Sequence, residues 1–124
     1  MGSFPFPRNA DVKLSKSTFV ARVTGGAQSD AALFAALART LRFPDYFGRN
    51  WAALDECLGD LSWLPRDVAL LHDGTPGLSR KELAIYLEIL RDAQVVAAEE
   101  GRILTVAFAE QTRALNEAWS KVKS

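Results

Sequence analysis

Three short runs rich in β-branched and aliphatic residues, Thr18–Thr24 (TFVARVT), Asp67–Leu71 (DVALL) and Arg102–Phe108 (RILTVAF), restrict what this chain can fold into. Each reads as a strand bounded by turn residues, and the stretches between them are far too long for hairpins. Parallel strands need crossovers of a dozen or more residues, and here each crossover carries apolar residues at helical spacing. The order strand, helix, helix, strand, helix, strand therefore implies an α/β layer: a three-stranded parallel sheet with right-handed connections and helices packed against it. DVALL is apolar almost throughout, which places it at the centre of the sheet.

The helices announce their own ends. Ser29 or Asp30 caps a helix running to about Leu41, with Leu33, Leu37 and Leu41 on one face and Phe34 and Ala38 beside them. Phe43-Pro44 stops it, because the residue before proline avoids the helical region. Ser79 with Glu82 three residues later reads as a capping box that opens the longest helix, to about Glu100. Leu83, Leu87, Leu90 and Ala97 point inward along it, and Gly101 ends it. Leu115, Ala118, Trp119 and Val122 mark a terminal amphipathic helix over Thr112–Val122 that docks by Trp119. Gly25-Gly26 supplies a turn after the first strand, and Pro65 stops the segment before the second. Met1–Ser17 shows no period and holds Pro5 and Pro7, which predicts an arm or poorly ordered extension that Phe4 and Phe6 pin to the body. Residues 18–124 are expected to form one domain.

Composition excludes several functional classes. The chain has 124 residues of which 48% are hydrophobic, enough for one core without a metal or disulfide. Cys57 is the single cysteine, so no internal disulfide is possible; it reads as a packed thiol in a reducing compartment. No apolar run is long enough for a membrane span, and no basic region followed by a hydrophobic core opens the chain, so a cytoplasmic location and no membrane are expected. Fifteen basic residues balance fifteen acidic ones, so the overall field argues neither for nucleic acid nor for membrane, and no nucleic-acid partner is expected. His72, the only histidine, lies outside any metal-ligand spacing, and the Asp73–Gly77 loop lacks the glycine spacing and lysine of a phosphate loop. No nucleophile with a base and no paired carboxylates of opposed environment are assembled. Neither an enzyme nor a cofactor is expected.

Local charge is more informative than the total. In Pro44–Leu64, PDYFGRNWAALDECLGDLSWL, the acids Asp45, Asp55, Glu56 and Asp60 face one base, Arg49, for a net of minus three. Pro44-Asp45 has turn chemistry, Gly48 permits a special backbone angle or a close approach, and Asn50 is a good N-cap. Trp51, Leu54, Leu58 and Leu61 then form one apolar helical face with Cys57 beside it, and this face is expected to be buried. Ala52, Asp55, Glu56 and Gly59 form a second stripe that looks at solvent or at a partner. Tyr46 and Phe47, read as exposed aromatics beside that stripe, suit recognition of a basic surface; equally, both could be core plugs and the acids a solvated face.

The whole string resembles the barstar family of ribonuclease inhibitors. The family pattern is a proline-acid-aromatic-aromatic-glycine loop, then asparagine, a large apolar residue, and a helix with leucines and an acid ahead of a cysteine or other small residue. Pro44, Asp45, Tyr46, Phe47, Gly48, Asn50, Leu54, Glu56, Cys57 and Leu58 stand at those places. The resemblance covers about residues 18–108 and implies a three-stranded parallel sheet with helices against it. It also implies an inhibitor that plugs the active site of a secreted basic ribonuclease, or a related immunity or regulatory protein for another toxin. Nothing in the sequence requires a dimer, although the apolar face of the terminal helix could support one, and a monomer is expected when free. By the same resemblance Tyr46 takes the place of the aromatic that packs on the nuclease's catalytic histidine. Glu56 takes that of the acid inserted among its arginines. The expected partner-facing set is Tyr46, Phe47, Gly48, Asn50, Trp51, Ala52, Asp55, Glu56 and Gly59, with Asp92 or Glu88 of the long helix as a peripheral contact. Two departures stand out. Ala52 replaces a further acid of the family's namesake and Asp55 replaces a tryptophan, so one carboxylate has moved along the stripe and any cognate cleft is arranged differently.

Overall fold

The computed structural model describes residues 3–24, 27–64 and 67–123, so the expected Gly25-Gly26 turn and the Pro65 stop lie outside the described residues. Strands β1 (Phe19–Val23), β2 (Val68–His72) and β3 (Leu104–Phe108) form one parallel sheet in the order β1-β2-β3. Helices α1 (Asp30–Thr40) and α2 (Trp51–Asp60) join β1 to β2, α3 (Arg80–Glu99) joins β2 to β3, and α4 (Arg113–Lys123) follows. This is the α/β arrangement expected from the crossover lengths. Among the described residues no helix is long and apolar enough to cross a membrane.

The predicted caps form. Ser29 Oγ accepts from the Ala32 N–H (3.1 Å), Asn50 Oδ1 from the Ala53 N–H (2.8 Å) and Ser79 Oγ from the Glu82 N–H (3.1 Å). Of the expected capping box at α3 only the Ser79 half is present among the described residues; the Glu82 carboxylate accepts from the Ser79 hydroxyl (3.3 Å) rather than from its backbone N–H. At the other end Gly101 takes φ 74, the Gly101 N–H reaches Ala98 O (3.1 Å) and the Arg102 N–H reaches Ala97 O (2.8 Å). That pair of bonds is a Schellman turn, and its left-handed residue is where glycine is cheapest.

Alternation along the strands divides the sheet into two faces. Phe19, Ala21 and Val23, Val68, Leu70 and His72, and Leu104, Val106 and Phe108 share the face that packs with Leu33 and Leu37 of α1, Leu54 of α2, Leu83, Leu87 and Leu90 of α3 and Leu115 of α4. Ala69, Leu71 and Ala107 form a thinner apolar cluster on the other face, covered by Val12.

Of the two expectations for the N-terminal segment, an arm or a poorly ordered extension, residues 3–17 follow the first. Phe6 is 1% exposed and packs edge-on to Phe4, tilted on Phe108 and edge-on to Trp119. The Phe108 N–H donates to Pro7 O (3.1 Å), Arg8 bridges Phe108 in parallel, and Asn9 Nδ2 donates to His72 O (2.9 Å). The pinning by Phe4 and Phe6 is as expected. What a pattern search could not see is that the segment extends along the outer edge of β3 and lays Val12 over the second face of the sheet.

Candidate functional site

α2 is a bar held at both ends. Asn50 caps its start; at its end Leu61 adopts φ 47, with its N–H on Cys57 O (3.1 Å). Its inner face is set by Leu54, Cys57, Leu58 and Leu61, all buried, whereas Trp51, expected in the same buried stripe, is only half-buried. The Trp51 ring stands edge-on to Phe34 at 4.8 Å and lies 6.3 Å from the Tyr86 ring. With α2 anchored this way, Ala52, Asp55 and Glu56 are exposed on the opposite side and Gly59 is half-exposed. No atom lies within 4 Å of where a Gly59 side chain would begin, so steric room does not demand glycine there.

The loop before α2 separates its two aromatics. Tyr46 is 75% exposed, but Phe47 is 8% exposed, which corrects the expectation that both face outward. Phe47 closes an aromatic pocket, 4.8 Å from Phe43 and 6.2 Å from Phe34, both edge-on. Edge-to-face packing of this kind stabilises by about 1 kcal/mol beyond the area buried, and it fixes the loop from beneath. Trp63 adds to the same floor: its ring meets Phe43 and its indole N–H donates to Leu41 O (2.9 Å), so the exit of α2 is tied to the end of α1. Phe47 therefore belongs to the support of the surface, and Tyr46 to the surface itself.

Gly48 serves the close approach. A side chain there would meet Asn50 Nδ2 at 3.3 Å, the same nitrogen that donates to Gly48 O. The left-handed backbone angle falls instead on its neighbour Arg49, at φ 53, a placement no local pattern had marked. Arg42 (φ 56) and Leu61 (φ 47) are the other two non-glycine residues with positive φ, so all three among the described residues lie at the margins of this loop and α2.

Among the described residues no cation neutralises the stripe. Asp55 and Glu56 make no hydrogen bond or ion pair among the described residues, while the ion pairs present elsewhere join Arg8 to Asp11, Arg22 to Asp73, Arg80 and Arg113 to Glu117, and Arg102 to Glu100. Cys57, on the inner side of the same turn, registers the field: burial first, then the charges of Asp60 and Glu56, push its thiol pKa up. A thiol so held stays protonated, as expected for a packed cysteine. Asp92 is exposed on α3, the helix that packs against α2.

His72 is fully buried in β2. Its Nδ1 faces Ala107 O (2.9 Å), its Nε2 faces the Tyr86 hydroxyl (2.6 Å), and its ring stacks on Phe108 at 4.0 Å. Ala107 O can only accept, so Nδ1 carries the proton and Nε2 accepts from Tyr86. Burial lowers the imidazole pKa to about 4, and both nitrogens are occupied. This is a satisfied core histidine.

Across residues 18–109 the chain matches the family model described as Barstar (barnase inhibitor). No curated protein matches it. The match spans both crossovers, all three strands, the Tyr46 loop and α2, and stops short of the N-terminal cover and α4. With that stretch making up most of its length and carrying the sheet, the aromatic loop and the acidic helix together, this chain belongs to the barstar family.

Proposed function

We propose that this protein inhibits a secreted basic ribonuclease by seating the outer face of α2 and the Tyr46 ring in the nuclease's active site. The observation that carries this reading is the pairing of an exposed aromatic with two carboxylates, Asp55 and Glu56, that have no cation partner among the described residues. A ribonuclease must hold phosphate with arginine, lysine or protonated histidine, and carboxylates placed there form the same charge-assisted hydrogen bonds. Opposite fields also steer the encounter, though the zero formal net charge of this chain confines the attraction to the local patch. Glu56 is the deepest acid, Asp55 lies about 100° round the helix from it, and Tyr46 packs on the catalytic imidazole. Gly48, Asn50 and Trp51 shape the approach, Ala52 and Gly59 leave room beside the acids, and Asp92 is a rim contact. The free protein acts as a monomer in the cytoplasm.

Ala52, an uncharged residue in the exposed stripe, favours a second reading: an immunity or regulatory protein on the same scaffold whose partner is a toxin of another class. Inhibition assays against barnase and other basic secreted ribonucleases separate the two. Under the first reading Glu56→Gln, which keeps shape and removes charge, weakens inhibition by about 3 kcal/mol, roughly a hundredfold in Kd, because cations in the cleft lose their partner. Equal inhibition by Glu56→Gln and the parent would refute the plug. Absence of inhibition by the parent across the panel would favour the second reading.

A further inference from the structure

α2 has no basic residue in its last turn, and Asp60 puts a carboxylate at the helix end where the dipole is already negative. The compensating cation comes from another element. Arg102 Nη2 donates to Asp60 O (2.7 Å) and to the Glu100 carboxylate, and its side chain is only 17% exposed. Two features aim it there. The Schellman turn at Gly101 reverses the chain directly after α3, and Glu100 grips the same guanidinium. The loop closing α3 thus reaches across and takes up a carbonyl that α2 cannot satisfy internally.

We propose that Arg102 is a positioning residue for the binding surface: it braces the C-terminal turn of α2 and so fixes the direction in which Asp55 and Glu56 point. This rests on the reading of α2 as the partner-binding helix. Asn50 and Trp51 secure the first turn and Leu61 turns the chain away at the last, and Arg102 supplies a polar tie from α2's final turn to the α3–β3 connection. A hydrogen bond from a charged donor to a helix-end carbonyl resists local opening, and local opening of a ten-residue helix begins at its ends.

The test is amide hydrogen exchange of the free full-length protein, with Arg102→Met, which keeps the aliphatic stem and removes the donors, and Arg102→Lys, which restores one donor. Exchange of the residue 58–61 amides should speed up about tenfold in Arg102→Met relative to the β2 amides, the weight of one charged hydrogen bond, and return towards the parent in Arg102→Lys. With barnase as the probe, dissociation should quicken by a similar factor in Arg102→Met and recover in Arg102→Lys. Exchange at residues 58–61 that is unchanged, or that rises only in step with β2, overturns the proposal, since a purely global loss of stability would move both together. The exchange measurement needs no partner. If the parent binds neither barnase nor any other ribonuclease of the panel while the exchange result stands, the ribonuclease reading has failed and the bracing of α2 has not.

Discussion

Lowering the pH should weaken this fold through a single side chain. His72 is the only histidine, and its imidazole is neutral in the core, with its pKa lowered from 6.5 to about 4. The unfolded chain therefore binds a proton that the folded chain refuses, so stability is full above about pH 6.5 and falls as the pH drops towards 4. The gap of about 2.5 pH units, at about 1.4 kcal/mol each, gives a loss on the order of 3 kcal/mol, of which about 2 kcal/mol is gone by pH 5. Against a total stability of about 5–15 kcal/mol for a domain of this size, that is a large fraction. Urea denaturation at half-unit steps from pH 7.5 to 5 isolates the effect, because most carboxylates stay ionised over that range. His72→Gln, whatever it costs in absolute stability, should flatten the slope. A flat profile in the parent, or an imidazole that titrates near 6.5 by NMR, would refute the account of a buried neutral ring between Ala107 O and Tyr86. Below this window the Glu117 carboxyl, its pKa lowered by hydrogen bonds from Arg80 and Arg113, adds to the loss in the same direction as it protonates.

Two further substitutions probe the support of the site. Phe6→Ala should cost about 3–5 kcal/mol in urea midpoint measurements, the usual penalty for truncating a fully buried aromatic, and a loss below about 1 kcal/mol would mean that the N-terminal segment is dispensable to the core. Arg49→Gly should raise stability by up to about 1 kcal/mol, since φ 53 is unfavourable for a side chain, and a clear loss would show that the Arg49 side chain contributes more than its backbone angle costs.

Much of this architecture was legible because its signals are local. Ser29, Asn50 and Ser79 cap helices through atoms three residues away, and Gly101 ends α3 within its own turn, so the sequence window contains the whole interaction. The strands fell within one or two residues of their places, β2 being carried one further to include His72. That residue reads as a polar terminus until Tyr86 and Phe108 arrive from elsewhere to pair with its ring. Tyr46 and Phe47 show the same limit. They are neighbours of similar chemistry, and only Phe34 and Phe43 decide which of them turns inward. The acidic stripe of α2 faces outward as the helical period implied, but its bracing by Arg102 depends on a partner 42 positions away. The segment before β1 has no period because its contacts, with Phe108, Trp119 and His72, are all to distant parts of the chain.

The cover that Val12 lays over Ala69, Leu71 and Ala107 bears on how this molecule can be dissected. A fragment cut back to the matched stretch would keep the acidic helix yet uncover a greasy underside and free one margin of the sheet for any passing strand. Residues 3–12 therefore complete the sheet on the side away from α2, and removing them exposes apolar surface that the matched stretch has no other means to cover.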